Sequence, residues 1–397
     1  MSRTVADDAP KRRPISLIMR VFARLRFLKK LPADIFPRNL DAHTRRRKKE
    51  KGEMPLTRAI SSFGRVGRVP VLGVGCATFG GAFGEVDFDD IVNVVGTAID
   101  DGMPYFDTSP YYGDSERVLG NALRAAGRDR KDYILATKCG RYGEPGTPGV
   151  VEFSAKRCQT SVAESLDRLG TDYIDIIQVH DIDFADPRQI AQETLPALAE
   201  LQQKGLVKHL GITGYPLEKF MAVIEQSPAT IDMILSYGRL NLFDNTLLDL
   251  VPYFKNRDIA VVNASPLGMG MLTADGPPPW NSGRPEKLVA AARAAARICK
   301  EAGTTLPQVA LQYSAQWAAT AGILTLVGIR THNDLLVNMS SISEPLAEAE
   351  FNELVSEICC AFGSADPLGK HTALSLVPST EHAAPHNQPF SLNLCAF

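Results

Sequence analysis

The sequence of 397 residues lacks the features that mark several classes of protein. No stretch of about 18 consecutive apolar residues occurs, so no membrane span is predicted. No apolar strand-like run is followed by the Gly-x-Gly-x-x-Gly pattern that opens a helix in Rossmann-type dinucleotide-binding domains. The seven cysteines are scattered without zinc-binding or redox spacing, which predicts no metal site and favours a reducing compartment.

The net charge of −2 is distributed unevenly along the chain. Residues 1–58 contain 17 basic and 6 acidic side chains, whereas the remainder contains 26 basic and 39 acidic ones. Residues 1–60 are therefore predicted to be a basic extension, either a disordered tail or a targeting or membrane-surface segment. Residues 364–397 are polar and are predicted to be disordered. We expect no nucleic-acid partner and a cytoplasmic location, unless the extension directs the chain to an organelle.

Residues 61–363 alternate between short apolar runs and amphipathic stretches, which is typical of an α/β protein with a parallel sheet. Five helices are predicted, at Phe88–Asp101, Ser154–Leu169, Ile190–Gln203, Glu286–Ala302 and Pro307–Ala318. Eight strands are predicted, at Val71–Gly75, Pro104–Asp107, Tyr133–Thr137, Ile174–His180, His209–Thr213, Met233–Tyr237, Ala260–Ala264 and Ile323–Gly328. Eight such units favour a single (β/α)8 TIM barrel over an open doubly wound sheet, because the sheet would require the missing glycine pattern.

Catalytic residues of such barrels gather at the C-terminal ends of the strands. Asp107, Lys138 and His180 end three successive predicted strands, and Tyr112 follows the first of them closely. A neighbouring ammonium lowers the pKa of a phenol, and a carboxylate holds that ammonium in place. Each residue alone has an ordinary structural explanation. Together they predict a general acid/base for proton transfer coupled to hydride transfer.

These residues lie in phrases that resemble the signatures of the aldo-keto reductase family. The phrases are Asp107-Thr108-Ser109-Pro110-Tyr111-Tyr112-Gly113, Ala136-Thr137-Lys138, Val179-His180 and Ala264-Ser265-Pro266-Leu267-Gly268. The resemblance covers roughly residues 65–345. Within the family, the sequence looks most like the NAD-dependent aldose 1-dehydrogenases of the L-galactose and D-arabinose type.

The resemblance implies a catalytic tetrad of Asp107, Tyr112, Lys138 and His180, in which Tyr112 transfers the proton. It also implies a nicotinamide cofactor across the barrel mouth. The residues expected to bind this cofactor are Thr213, Ser265, Pro266, Leu267, Gly268, Gly328, Arg330, Asp334 and Asn338. Two departures stand out: Thr213-Gly214 replaces the usual Ser-Asn, and Ala264 replaces the aromatic residue that stacks on the nicotinamide.

The choice of cofactor depends on the loop after the eighth strand. Gly328 and Asp334 occupy positions where NADP-specific members of the family have basic residues, and a carboxylate there repels a 2′-phosphate. This favours NAD, although Arg330 is close enough to bind NADP instead. Asp334 has a second interpretation, as the charge at the N-terminus of a helix near Thr331.

The predicted reaction is oxidation of C1 of a free aldose to its lactone, with Asp181, Tyr142 and Trp280 as substrate-binding residues. Two alternatives stay open. One is an NADPH-dependent aldehyde or ketone reductase, and the other is a cofactor-binding regulatory subunit with little turnover. The oligomeric state is not predicted.

Overall fold

Eight parallel strands close into a barrel in the computed structural model, which describes residues 60–81, 84–143, 150–274 and 284–363. Each strand pairs with the next along the chain, and the last pairs with the first. The strands are β3 (Leu72–Gly75), β4 (Tyr105–Asp107), β5 (Ile134–Cys139), β8 (Ile174–Val179), β9 (Val207–Gly214), β10 (Met233–Tyr237), β11 (Ala260–Ala264) and β12 (Ile323–Gly328). The single-barrel prediction is confirmed, and every predicted strand end lies within two residues of the observed one.

Helices surround the barrel, and most of them bury an apolar face against the strands or against neighbouring helices. The helices are α1 (Phe88–Asp100), α2 (Ser115–Ala125), α3 (Ala155–Leu169), α4 (Pro187–Gln189), α5 (Leu195–Gln203), α6 (Leu217–Gln226), α7 (Leu247–Lys255), α8 (Glu286–Glu301), α9 (Leu306–Ala315), α10 (Trp317–Ala321), α11 (His332–Ser343) and α12 (Glu348–Ala361). Ser154 caps α3 as its sequence position predicts, because its hydroxyl accepts a hydrogen bond from the Arg157 N–H. No helix in the described ranges is long and apolar enough to cross a membrane.

The helix predictions were less complete than the strand predictions. The predicted helix Ile190–Gln203 is α5 preceded by a π-helical turn at Ile190–Thr194, and the predicted Pro307–Ala318 is divided between α9 and α10. Helices α2, α4, α6, α7, α11 and α12 were not predicted. The predicted extensions at residues 1–59 and 364–397 lie outside the described residues.

An antiparallel hairpin of β1 (Ile60–Phe63) and β2 (Gly67–Val69) covers the N-terminal end of the barrel. Phe63 is buried among barrel residues such as Met233 and Leu324. The Arg65 guanidinium binds backbone carbonyl oxygens just before β10 and β11. The hairpin therefore closes one end of the barrel and leaves the C-terminal end for the site. Two antiparallel strands of two residues each, β6 (Arg141–Tyr142) and β7 (Val150–Val151), pair at that C-terminal end.

Candidate active site

The four predicted tetrad residues meet at the C-terminal rim of the barrel. The Lys138 ammonium donates hydrogen bonds to the Asp107 carboxylate and, at 2.9 Å, to the Thr108 carbonyl oxygen. It also hydrogen-bonds the Tyr112 hydroxyl and lies 4.8 Å from the centroid of the Tyr112 ring. The Tyr112 and His180 rings meet edge to face with centroids 5.5 Å apart. The structure therefore brings the whole predicted tetrad together.

The loop between β4 and α2 holds Tyr112 in place. The Tyr112 N–H donates to the Ser109 carbonyl oxygen at 3.0 Å, and the Tyr112 carbonyl oxygen accepts from the Ser115 N–H at 3.2 Å. The Ser115 hydroxyl in turn donates to the Cys76 carbonyl oxygen at 2.6 Å. Gly80 packs so closely below Tyr112 that a Cβ atom there would lie 1.7 Å from the Tyr112 carbonyl oxygen. Glycine at position 80 is therefore required for the close approach of two loops.

Burial dominates the electrostatics of the phenol. It raises the pKa of Tyr112 to about 12, although the charge of Lys138 and its hydrogen bond act to lower it. Lys138 therefore acts on the pKa of Tyr112 in the predicted direction, but burial outweighs its effect in the protein without ligands. For Lys138, burial opposes the charged form, but the charges of Asp107 and Tyr112 together raise its pKa above the usual value. Lys138 accordingly stays positively charged at all physiological pH values.

His180 is neutral at physiological pH. Burial and then the positive charges of Lys138 and Arg141 hold its pKa well below the usual range. Its Nδ1 lies 3.0 Å from the Ser109 hydroxyl, which already accepts a hydrogen bond from the Tyr111 N–H. We assign the hydroxyl hydrogen of Ser109 to Nδ1, and with this assignment the ring proton of His180 lies on Nε2. An Nε2–H group is a donor for a substrate oxygen.

The tetrad lines a cavity of about 470 Å³ that is open to solvent on one side. Gly328 and Asp181 line it, as the sequence prediction expects for cofactor and substrate residues. Several lining residues were not predicted, among them Cys76, Ala77, Leu235, Tyr237 and Leu326. Tyr237 ends β10, so the strand-end rule that found Lys138 would also have found it.

The loop after β11 fits the phosphate side of a dinucleotide. Ser265 has a φ of 59°, and its buried hydroxyl has no hydrogen-bond partner among the described residues. Pro266 and Leu267 follow in the same turn, which is closed by a hydrogen bond from the Gly268 N–H to the Ser265 carbonyl oxygen at 2.9 Å. A buried hydroxyl without a partner is costly unless a ligand binds it. A phosphate oxygen meets that requirement.

The structure gives two of the predicted site residues contacts that the sequence did not predict. Thr213 lines the cavity with the tetrad, and its hydroxyl also binds Asp181: it accepts from the Asp181 N–H at 2.8 Å and donates to the carboxylate at 3.3 Å. Tyr142 does not line the cavity: its hydroxyl accepts from the Gly140 N–H at 3.0 Å, and its ring packs under Arg157. Its neighbour Arg141 reaches Asp181 instead.

Asp334 proves to be a helix cap. Its carboxylate accepts from the N–H groups of Arg330 and Thr331 at 3.2 and 3.0 Å, and its own N–H donates to the Thr331 hydroxyl. This capping box starts α11. Arg330 is exposed, and Asn338 lies half-buried on α11 one turn after Asp334. Trp280 lies outside the described residues.

Comparison with known proteins agrees with this geometry. The sequence profile described as "Aldo/keto reductase family" matches residues 71–358. The chain belongs to the aldo/keto reductase family. It is therefore an oxidoreductase that acts on CH–OH groups with a nicotinamide cofactor.

Two curated relatives of the reductase are aldose dehydrogenases. The chain is 42% identical over 303 residues to the L-galactose dehydrogenase of Arabidopsis thaliana, a match covering 75% of this chain and 92% of the relative. It is 31% identical over 264 residues to the D-arabinose 1-dehydrogenase of Saccharomyces cerevisiae, covering 63% and 75%. The fold resembles the glycerol dehydrogenase of Gluconobacter oxydans, with a TM-score of 0.61 and 23% identity over 79% of this chain and 99% of that one.

Replacing Gly80 tests the support of Tyr112. Gly80→Ala is expected to lower kcat by about 100-fold or more, because the added Cβ displaces the loop that carries Tyr112 and misplacement by about 1 Å has effects of this size. The matched control is Gly81→Asn, where a Cβ meets nothing within 4 Å and the left-handed conformation tolerates asparagine. Turnover and melting temperature are measured for both variants. Full turnover in a folded Gly80→Ala enzyme would show that Tyr112 needs no such support.

Proposed function

We propose that this reductase oxidises C1 of a free aldose to its lactone and passes the hydride to NAD⁺. The observation that carries the proposal is the buried set of Tyr112, Lys138, Asp107 and His180, converging on one cavity. The aldose is of the L-galactose, or D-arabinose and L-fucose, type. The 42% identity to an L-galactose dehydrogenase, over 92% of that enzyme, supports this substrate class.

The charges in the site favour an uncharged substrate. The described charged residues that line the cavity are Asp107, Lys138 and Asp181, and each is paired: Lys138 with Asp107, and Asp181 with Arg141. His180 adds no charge because its pKa is held low. An incoming carboxylate or ammonium would lose hydration without gaining a free counter-charge. A neutral polyhydroxylated sugar has no charge to desolvate, and its hydroxyls can exchange water for hydrogen bonds to the polar groups of the cavity.

Proton transfer is carried by residues of the chain. The Nε2–H of His180 donates to the C1 oxygen and orients it beside the Tyr112 hydroxyl. Tyr112, as phenolate, takes the proton of the C1 hydroxyl, and Lys138 stabilises the phenolate by charge and hydrogen bonding. The bound nicotinamide supplies the acceptor for the hydride that leaves C1. Ser265 and the turn that follows it would hold the pyrophosphate.

The start of α11 favours NAD over NADP. A helix N-terminus is a natural phosphate site, because its backbone N–H groups are free to bind an anion. Here the Asp334 carboxylate accepts from the N–H groups of the cap residue Thr331 and of Arg330 before it, and the Asp90 carboxylate accepts from the His332 N–H. A 2′-phosphate would have to displace or approach the Asp334 carboxylate, and both cost free energy. Arg330 is exposed and offers the opposing attraction.

A panel of aldoses with NAD⁺ and NADP⁺ in parallel tests the proposal. We expect NADH formation at 340 nm with at least one of L-galactose, D-arabinose and L-fucose, and a kcat/KM at least about tenfold higher with NAD⁺, which corresponds to about 1.4 kcal/mol. Turnover of simple aldehydes with NADPH but of no sugar would establish the reductase alternative. No turnover with either, together with cofactor binding, would establish a regulatory subunit.

The pH dependence tests the role of Tyr112. Because its raised pKa leaves the phenolate scarce at neutral pH, kcat/KM for oxidation is expected to rise from neutral to alkaline pH. Tyr112→Phe should lower kcat by about 10²–10⁴-fold and remove the alkaline rise, because the base is lost. NADH binding, followed by fluorescence, should be unchanged in this variant. An alkaline rise that persists in Tyr112→Phe would assign the base to another residue.

A further inference from the structure

Asp181 has a constrained backbone at the edge of the tetrad. It follows His180 directly and has a φ of 52°, a left-handed conformation that is uncommon for residues other than glycine. Its N–H donates to the Thr213 hydroxyl at 2.8 Å, which holds this conformation. Strained residues of this kind concentrate at functional sites. The conformation places the buried Asp181 side chain in the wall of the cavity.

The Asp181 carboxylate is held from two sides. Arg141 makes an ion pair with it, and the Thr213 hydroxyl donates to it at 3.3 Å. Arg141 is itself fixed by two aromatic rings, with its guanidinium carbon 4.0 Å from the centroid of Tyr111 and 4.7 Å from that of Phe184. The carboxylate is therefore preorganised, so little conformational entropy is lost when a ligand binds it.

The position of this carboxylate matches the second oxygen of a diol. Its Oδ2 atom lies 3.8 Å from Nε2 of His180, the atom proposed above to donate to the C1 oxygen. Two hydrogen-bonding atoms at this separation can each bind one oxygen of a pair on adjacent carbons. Among the described lining residues, Asp181 is the charged side chain outside the tetrad. Much of the remaining described wall is apolar, formed by Ala77, Leu235, Ala264 and Leu326.

We propose that Asp181, held by Arg141, accepts a hydrogen bond from the C2 hydroxyl of the aldose and so selects sugars with a hydroxyl next to the reacting carbon. The inference rests on the proposed aldose oxidation and adds the group that recognises the substrate. When the substrate lacks the C2 hydroxyl, the buried Asp181 carboxylate keeps an acceptor position without a hydrogen-bond donor. A site of this construction discriminates strongly against the deoxy analogue.

The test compares the best aldose of the panel with its 2-deoxy counterpart. Wild-type enzyme is expected to prefer the aldose by about 10- to 100-fold in kcat/KM, the range for a hydrogen bond to a charged group. Asp181→Asn keeps the left-handed backbone that asparagine tolerates, but it removes the charge. It should lower kcat/KM for the aldose by about tenfold, chiefly through KM, and leave the 2-deoxy sugar nearly unchanged.

A matched control lies on β8, the strand that precedes Asp181. Asp175 pairs with Arg130 at 2.6 Å and Lys208 at 2.9 Å at the opposite end of β8. Asp175→Asn also removes a carboxylate from an arginine pair, and it should leave the ratio of the two sugars at the wild-type value. The comparison of the two variants thereby separates a loss of stability, which both share, from an effect on substrate recognition.

The outcomes separate this inference from the proposed function. If wild-type enzyme oxidises no aldose, both fail. If it oxidises both sugars equally well, the C2 inference alone is overturned. If Asp181→Asn slows both sugars by the same factor, Asp181 acts by orienting His180 and not by binding the substrate, which also overturns the inference.

Discussion

The ion pair between Lys138 and Asp107 is the interaction on which the site depends. A lysine side chain only 2% exposed would lose its charge without a partner, because burial opposes the ammonium form. Asp107 keeps that charge in place, and the Gln178 side-chain amide donates to the second carboxylate oxygen at 2.7 Å. The charge then stabilises the Tyr112 phenolate and helps to keep His180 neutral. These residues lie on three adjacent strands, or just after one of them, so closure of the barrel itself sets their separation.

The N-terminal and C-terminal ends of the barrel have different roles. At the N-terminal end, the β1–β2 hairpin buries Phe63 against the barrel interior, and the charges around Asp175 are paired. At the C-terminal end, the buried Ser265 hydroxyl has no hydrogen-bond partner among the described residues. This division is typical of (β/α)8 enzymes, in which stability and chemistry are separated along the strand direction. The strained backbone of Asp181 and Ser265 occurs at the second end, where ligand binding can offset its cost.

The sequence predicted the strands and the tetrad well, because buried parallel strands are continuous apolar runs and because strand ends share one rim. The prediction failed where a shift of one residue along a strand changes which side chain faces the site. In β6, consecutive side chains point to opposite faces, so Arg141 reaches Asp181 in the cavity wall and the predicted Tyr142 does not. The β1–β2 hairpin was missed because its strands are short and partly polar. The conformation of Asp181 depends on contacts from β9, which no local pattern encodes.

A double-mutant cycle on Asp107 and Lys138 tests the central claim most directly. If the two side chains act as one unit, Asp107→Asn and Lys138→Met each lower kcat/KM for aldose oxidation, and the double variant is no worse than the poorer single variant, because interacting residues are not additive. NADH binding in all four proteins shows whether the site remains formed. Losses that multiply in the double variant would contradict the account, since Asp107 and Lys138 would then contribute independently.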